Sequence, residues 1–300
     1  MTDPRLETFI ATCGQRIEAT LERWLPPEQV PPSRLHQAMR YAILGGGKRI
    51  RPTLAYATAE AIGLAPDQVN GIAGAVEMIH GYSLIHDALP AMDNDALRGG
   101  GPPCHKAFDE ATAILTGDAL QALSFQVLAG EPTGDPAEAM ARLDMIRLLA
   151  VGIGTHGMAG GQAIDLESVG RLLDLPTLED MHRRKTGALI ETSVLLGAVA
   201  AGVSGGPVYE ALRTFSSAIG LAFQIQDDIL DVAGTTEELG KLAGADAARH
   251  KPTYPSIVGI DEARRLAAEQ HDRAIAALAP LGERAAGLVE LAHFVTGRGN

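Results

Sequence analysis

The chain has 300 residues, 46% of them hydrophobic and 21% charged, which argues against a disordered chain and is close to the largest size one hydrophobic core supports. Its formal net charge of -12 sets the surface against nucleic acid and anionic membranes, so any phosphate site must be made positive locally by clustered Lys and Arg or by bound metal. The two cysteines, Cys13 and Cys104, form neither a disulfide framework nor a CxxC zinc site, and a cytoplasmic setting is expected.

Helical patterning dominates from the start. Leu6, Phe9, Cys13, Ile17 and Leu21 recur at helical spacing as one apolar stripe. Asp135, Pro136 and Glu138 read as N-cap, first-turn Pro and capping glutamate, opening a helix with a stripe of Met140, Leu143, Ile146 and Leu149. Pro176 to Asp180 starts another helix, expected to run to about Ala201, and Asp261 is expected to cap one that ends near Pro280. Met1 to Cys13 has no apolar signal core. The stretch Ala188 to Val203 is interrupted by Glu191 and falls short of the roughly 20 residues a membrane span needs. Strand patterns are scarce, Gly/Pro breaks are short, and no repeat or composition shift marks a boundary. The expectation is one all-α domain over residues 1–300.

Two aspartate clusters stand out. In Asp227-Asp228-Ile229-Leu230-Asp231, Asp227 and Asp231 share one helix face among apolar neighbours. Two carboxylates so placed repel unless a cation lies between them, and magnesium suits them, being held by one or two carboxylates and completed by water and phosphate. In the first cluster, Asp87 and Asp93 do not strictly share a helix face. Pro90 between them can end the helix and let them converge on one ion. Either cluster alone also fits a solvated acidic helix end. Basic residues supply the matching half: Gly45-Gly46-Gly47-Lys48-Arg49-Ile50-Arg51, then Arg98, Lys185, Lys241 and Lys251. Backbone N–H groups and cations of this kind can cradle phosphate, although no Walker pattern is present.

GGGKRIRP (45–52), IHGYSLIHD (79–87), GGQAIDL (160–166), KTGALIE (185–191), FQIQDDILD (223–231), GKLAGAD (240–246) and KPTYPS (251–256) follow in this order. With PCHKAFDEATAILTGDALQ (103–121), they resemble the trans-isoprenyl (polyprenyl) diphosphate synthases of the bacterial farnesyl/geranyl type. The resemblance covers essentially the whole chain. It implies an all-α homodimer, each subunit a large helical bundle around a central cavity. There about three Mg²⁺ ions hold an allylic diphosphate, and isopentenyl diphosphate attacks the allylic cation. By position, Asp87 and Asp93 of the first motif and Asp227, Asp228 and Asp231 of the second resemble metal ligands. Arg98, Lys185, Thr186, Gln224 and Lys241 resemble allylic-diphosphate contacts, with Lys251 in the same substrate-binding set. Lys185, Gln224 and Asp227 are the catalytic candidates. Lys48, Arg51 and His80 resemble the isopentenyl-diphosphate site. Tyr82, five residues before Asp87, takes the place of the bulky residue that limits chain length, which implies a short product such as farnesyl diphosphate.

The chain departs from the family pattern at Ala88, Gly99 and Gly101, where the family carries an Asp, an Arg and often a basic residue. One lost charge-assisted contact weakens second-substrate binding by about 1.5–3 kcal/mol. Two further functions stay open on this reading: a one-substrate enzyme that ionises an allylic diphosphate and cyclises or hydrolyses it, and a non-catalytic subunit of a heteromeric synthase.

Overall fold

The computed structural model describes residues 4–97, 101–130, 135–233 and 251–297. Arg98, Gly99 and Lys241 lie outside the described residues. Among those described, the elements are helical and no β-strand occurs, as the patterning predicts. Helices α1 (Pro4–Trp24), α2 (Ser33–Ile43), α3 (Ile50–Ile62) and α4 (Asn70–Asp87) lead to a short α5 (Cys104–Ala107) and to α6 (Glu110–Ala129). Next come α7 (Pro136–Ile153), α8 (Met158–Ser168), α9 (Leu175–His182), α10 (Ala188–Ala200) and the long α11 (Gly206–Ala233). The chain closes with α12 (Tyr254–Val258), α13 (Ile260–Ala277) and α14 (Ala286–Thr296).

Apart from Glu191 in its first turn, the α10 sequence, ALIETSVLLGAVA, is apolar or small on every side and so belongs in an interior. It packs against α3, α7 and α11, and Val194, Leu196 and Ala198 are wholly buried. Two apolar clusters form on its sides. One gathers Ile17, Leu21, Met78, Ile79, Leu120 and Leu149; the other gathers Leu54, Ile190, Phe215, Ile219 and Leu288. A third, of Leu178, Met181, Ile225, Ile229 and Tyr254, ties α9, α11 and α12 together below the second aspartate motif.

The α1 stripe is placed as expected, with Leu6, Cys13, Ile17 and Leu21 buried. Helix α7 forms as expected, with Leu149 and Ile153 buried and Met140 and Leu143 57% and 56% exposed. One expectation is corrected. Asp261 lies within the first turn of α13, behind an N-cap at Gly259, and that helix stops at Ala277. The helix expected from Pro176 starts at Leu175, where the Asp174 side chain accepts from the Thr177 N–H at 3.0 Å. It runs through a wide π-turn at Arg183–Gly187 into α10 and ends at Ala200. Among the described residues no helix is long and apolar enough to cross a membrane.

Candidate functional site

The π-turn carries Lys185 and Thr186. Such a turn widens the helix and is frequent at functional sites. Here it lies against α8, where a Cβ on Gly161 would run into the backbone nitrogen of Lys185. That close approach brings the Lys185 ammonium to Asp165 Oδ2, to which it donates at 2.7 Å. Lys251, just before α12, donates to the same oxygen at 2.9 Å and to both oxygens of Asp93 at 3.0 and 3.1 Å. Four residues from four parts of the chain thus meet in one buried network of two carboxylates and two ammonium groups. Burial opposes the charge on Asp165, but Lys185 and Lys251 outweigh it and hold its pKa below the usual carboxylate range. Burial likewise opposes the charge on Lys251, while Asp165 and Asp93 outweigh it and raise its pKa.

The first motif reaches the same face of α8. Helix α4 ends at Asp87, and the chain then reverses: the Asp93 N–H donates to the Asp87 carbonyl at 2.9 Å and the Asp95 N–H to that of Ala88 at 3.2 Å. Asn94, at φ 50°, adopts the left-handed conformation this turn requires. Asp87 accepts a hydrogen bond from Gln162, three residues before Asp165 on α8. Asp87 and Asp93 therefore both bear on one helix, Asp87 directly through Gln162 and Asp93 through Lys251. Ala88, where the family carries a second Asp, is 1% exposed.

On α11 the second motif divides its carboxylates. Asp227 is half-buried and Asp231 buried on one helix face. Asp228 points into the protein, 3% exposed. Its Oδ2 accepts from the Tyr254 N–H at 3.0 Å and lies 3.3 Å from His182 Nε2, and its Oδ1 accepts from Gln224 at 3.3 Å. Gln224 in turn accepts from the Thr186 hydroxyl at 2.8 Å. Asp228 thus orients Gln224 and Thr186 and anchors the start of α12, a different position from that of Asp227 and Asp231.

The glycine run Gly45–Gly47 holds φ of 102°, 105° and 117°, a path side-chain-bearing residues rarely take. It presents Lys48 on an exposed loop. Arg51 donates to His80 Nε2 at 3.3 Å, pairing two of the second-substrate candidates across α3 and α4. Arg49, between Lys48 and Arg51, turns inward instead and bonds Glu18, Glu77 and the Ile43 carbonyl. Tyr82 packs against the first core cluster and meets the His86 ring edge-on at 5.5 Å.

Asp165, Gln162 and His182 are the partners that sequence reasoning missed. The available signal was a Gln and an Asp three apart on α8, a helix otherwise of small and apolar residues before Glu167.

The family model for polyprenyl synthetase matches residues 32–282. The chain belongs to the polyprenyl synthetase family. It is 45% identical over 275 residues to a farnesyl diphosphate synthase of Escherichia coli, covering 92% of each chain. To a farnesyl diphosphate synthase of Geobacillus stearothermophilus it is 43% identical over 264 residues, covering 88% of each. Among solved structures, an FPP/GFPP synthase from Zymomonas mobilis aligns with a TM-score of 0.87 at 40% identity, over 97% of this chain and 99% of that one. Enzymes of this family depend on metal, and the donor set here fits a hard divalent cation: every candidate ligand is a carboxylate. No group of three His, Cys, Asp or Glu side chains forms a ready-made cage among the described residues. Magnesium takes one or two carboxylates and fills its shell with water and substrate phosphate.

Proposed function

We propose that this chain is a cytoplasmic prenyltransferase that condenses isopentenyl diphosphate with dimethylallyl or geranyl diphosphate, giving a short product, farnesyl diphosphate. The observation that carries the reading is the convergence of the first aspartate motif with Lys185 and Lys251 on α8, beside the Thr186–Gln224–Asp228 chain that leads to the second motif. Asp87, Asp93, Asp227 and Asp231 would hold Mg²⁺, about three ions in all; Asp228, expected from the resemblance to be a fifth ligand, is read instead as the residue that keeps Gln224 and Thr186 aimed, because its two oxygens accept from Gln224 and the Tyr254 N–H. When bound, the metal draws off the growing charge of the leaving diphosphate. Lys185, Lys251 and the Thr186 hydroxyl bind and orient that diphosphate, with Arg98 and Lys241 as further contacts. Lys48, Arg51 and His80 bind isopentenyl diphosphate. Apolar walls, Tyr82 among them, exclude water from the allylic cation in a central cavity and limit the product's length.

The whole chain acts as one helical domain over residues 1–300 and pairs as a homodimer. The support for pairing is the exposure of large apolar side chains on two packed helices, Ile114 and Leu115 on α6 and Met140, Leu143 and Val151 on α7, each between 44% and 57% exposed.

The test is a product assay. The purified protein with Mg²⁺, isopentenyl diphosphate and either allylic diphosphate should yield farnesyl diphosphate by mass spectrometry. Consumption of the allylic diphosphate at the same rate without isopentenyl diphosphate would instead identify a one-substrate enzyme. No turnover alone, with activity restored by an intact paralogue, would identify a heteromeric subunit.

A further inference from the structure

Lys251 has three N–H donors, and three acceptor atoms surround them: Oδ2 of Asp165 and both oxygens of Asp93. Its side chain is 9% exposed, and those of Asp93 and Asp165 are 10% and 5% exposed. A buried ammonium so saturated occupies the cation's place at Asp93. A divalent ion that ligates this carboxylate competes with it for the same two oxygens. Displacement does not strand Lys251, because Asp165 still faces it and at the same time holds Lys185. Asp165 Oδ2 is thus a shared pivot for two ammonium groups. An unpaired charge this deeply placed would be strongly unfavourable, so the pivot must stay ionised through the exchange.

We propose that Asp165 is a positioning residue that keeps Lys185 and Lys251 side by side toward the diphosphate, and that Lys251 serves as the counter-ion of Asp93 until a divalent cation takes its place. The proposal rests on the reading of the site as a metal–diphosphate site. It makes metal binding and lysine release one exchange: Asp93 passes from an ammonium to a dication, and the released ammonium passes to the incoming phosphate oxygens. A merely structural network would brace α8 against the π-turn and α12 without influencing either ligand.

Binding measured without turnover separates the two. Mn²⁺ titrated by electron paramagnetic resonance, with no diphosphate present, should bind Lys251→Ala and Lys251→Gln about tenfold more tightly than the parent, because the competing cation is gone. Inorganic pyrophosphate with Mg²⁺, followed by calorimetry, should bind both variants about tenfold more weakly. In Asp165→Asn the pyrophosphate affinity should fall by a similar factor while Mn²⁺ affinity does not rise, and Asp165→Glu should recover part of the loss. Unchanged Mn²⁺ affinity in both Lys251 variants overturns the counter-ion role. Unchanged pyrophosphate affinity in Asp165→Asn overturns the positioning role, even with a lower unfolding midpoint. A parent protein that fails to bind pyrophosphate with Mg²⁺ would sink the functional reading itself, an outcome distinct from either.

Discussion

Arg49 offers the sharpest test of how the glycine-lysine-arginine loop is built. Its side chain is 8% exposed and that of Glu77 is 7% exposed, with Nη1 donating to Glu77 Oε1 at 2.5 Å. Nε and Nη2 donate to Glu18 Oε1 at 3.1 and 2.5 Å, and Nη2 also donates to the Ile43 carbonyl at 2.7 Å. Burial works against the guanidinium charge, but Glu77 and Glu18 outweigh it, so its pKa is raised. Glu77 Oε2 is buried with no hydrogen-bond partner among the described residues, so this carboxylate depends on Arg49. Arg49→Met leaves it buried and uncompensated, and removing one partner of such a pair costs about 3–5 kcal/mol. Urea unfolding of the metal-free protein should show that loss. Arg49→Met combined with Glu77→Leu should lose less than the single variant, because the orphaned charge goes too. KM for isopentenyl diphosphate should stay within about threefold of the parent in the folded variant. Lys48→Ala, on the exposed loop, should behave in the opposite way, raising KM with an unmoved unfolding midpoint. A loss below about 1 kcal/mol for Arg49→Met, joined to a tenfold rise in KM, would refute the clamp and make Arg49 a substrate contact.

Gly161→Ala drives a methyl into the Lys185 backbone, and kcat should fall by about tenfold or more as the π-turn shifts; a variant with unchanged kcat and pyrophosphate affinity would show that α8 does not set the lysine's position. Ala88→Asp places a carboxylate at a site 1% exposed, and metal-free stability should drop by about 1–3 kcal/mol; a variant as stable as the parent in urea would mean the position opens onto solvent or a cation. His271 accepts or donates at 2.8 Å to the Thr296 hydroxyl and has its ring 4.8 Å from that of His293. Burial first, then His293, lowers its pKa from the usual value near 6.5. The folded form therefore prefers the neutral ring, so this contribution is complete above the unfolded pKa and is lost as pH falls below about 6.5. His271→Gln should flatten the fall of the urea midpoint between about pH 7 and 5, and identical slopes would exclude the effect. Met140→Glu with Leu143→Glu should convert a dimer to a monomer in sedimentation; a parent already monomeric, or a variant still dimeric, would place the interface elsewhere.

The fold class was legible because helix stripes and caps are local. The i, i+4 spacing of Asp227 and Asp231 sufficed to place them on one face of α11. The partners of Lys251 were not legible, since Asp165 and Asp93 lie 86 and 158 residues away and no local spacing encodes a contact of that range. Arg49 could not be told from Lys48 and Arg51 in a run of basic residues. Its left-handed φ of 45° and its buried glutamates separate it, and both are tertiary facts. The period of Met140 and Leu143 was read correctly as an apolar stripe, but period says nothing about what covers it. That depends on how far α7 lies against α10.

The charge arithmetic of the site also constrains the order of events. A surface with formal net charge -12 repels a diphosphate at long range, although screening limits this beyond a Debye length of about 8 Å. Within the network Asp93 and Asp165 balance Lys185 and Lys251, so those four groups sum to zero. Divalent cations add positive charge beside Asp87, Asp227 and Asp231, and by relieving Asp93 they also turn Lys251 from an internal counter-ion into a donor available to phosphate. Metal and diphosphate should therefore bind with strong positive coupling, each raising the other's affinity by the same factor. Independent binding of Mg²⁺ and pyrophosphate in calorimetry would contradict this account of the site.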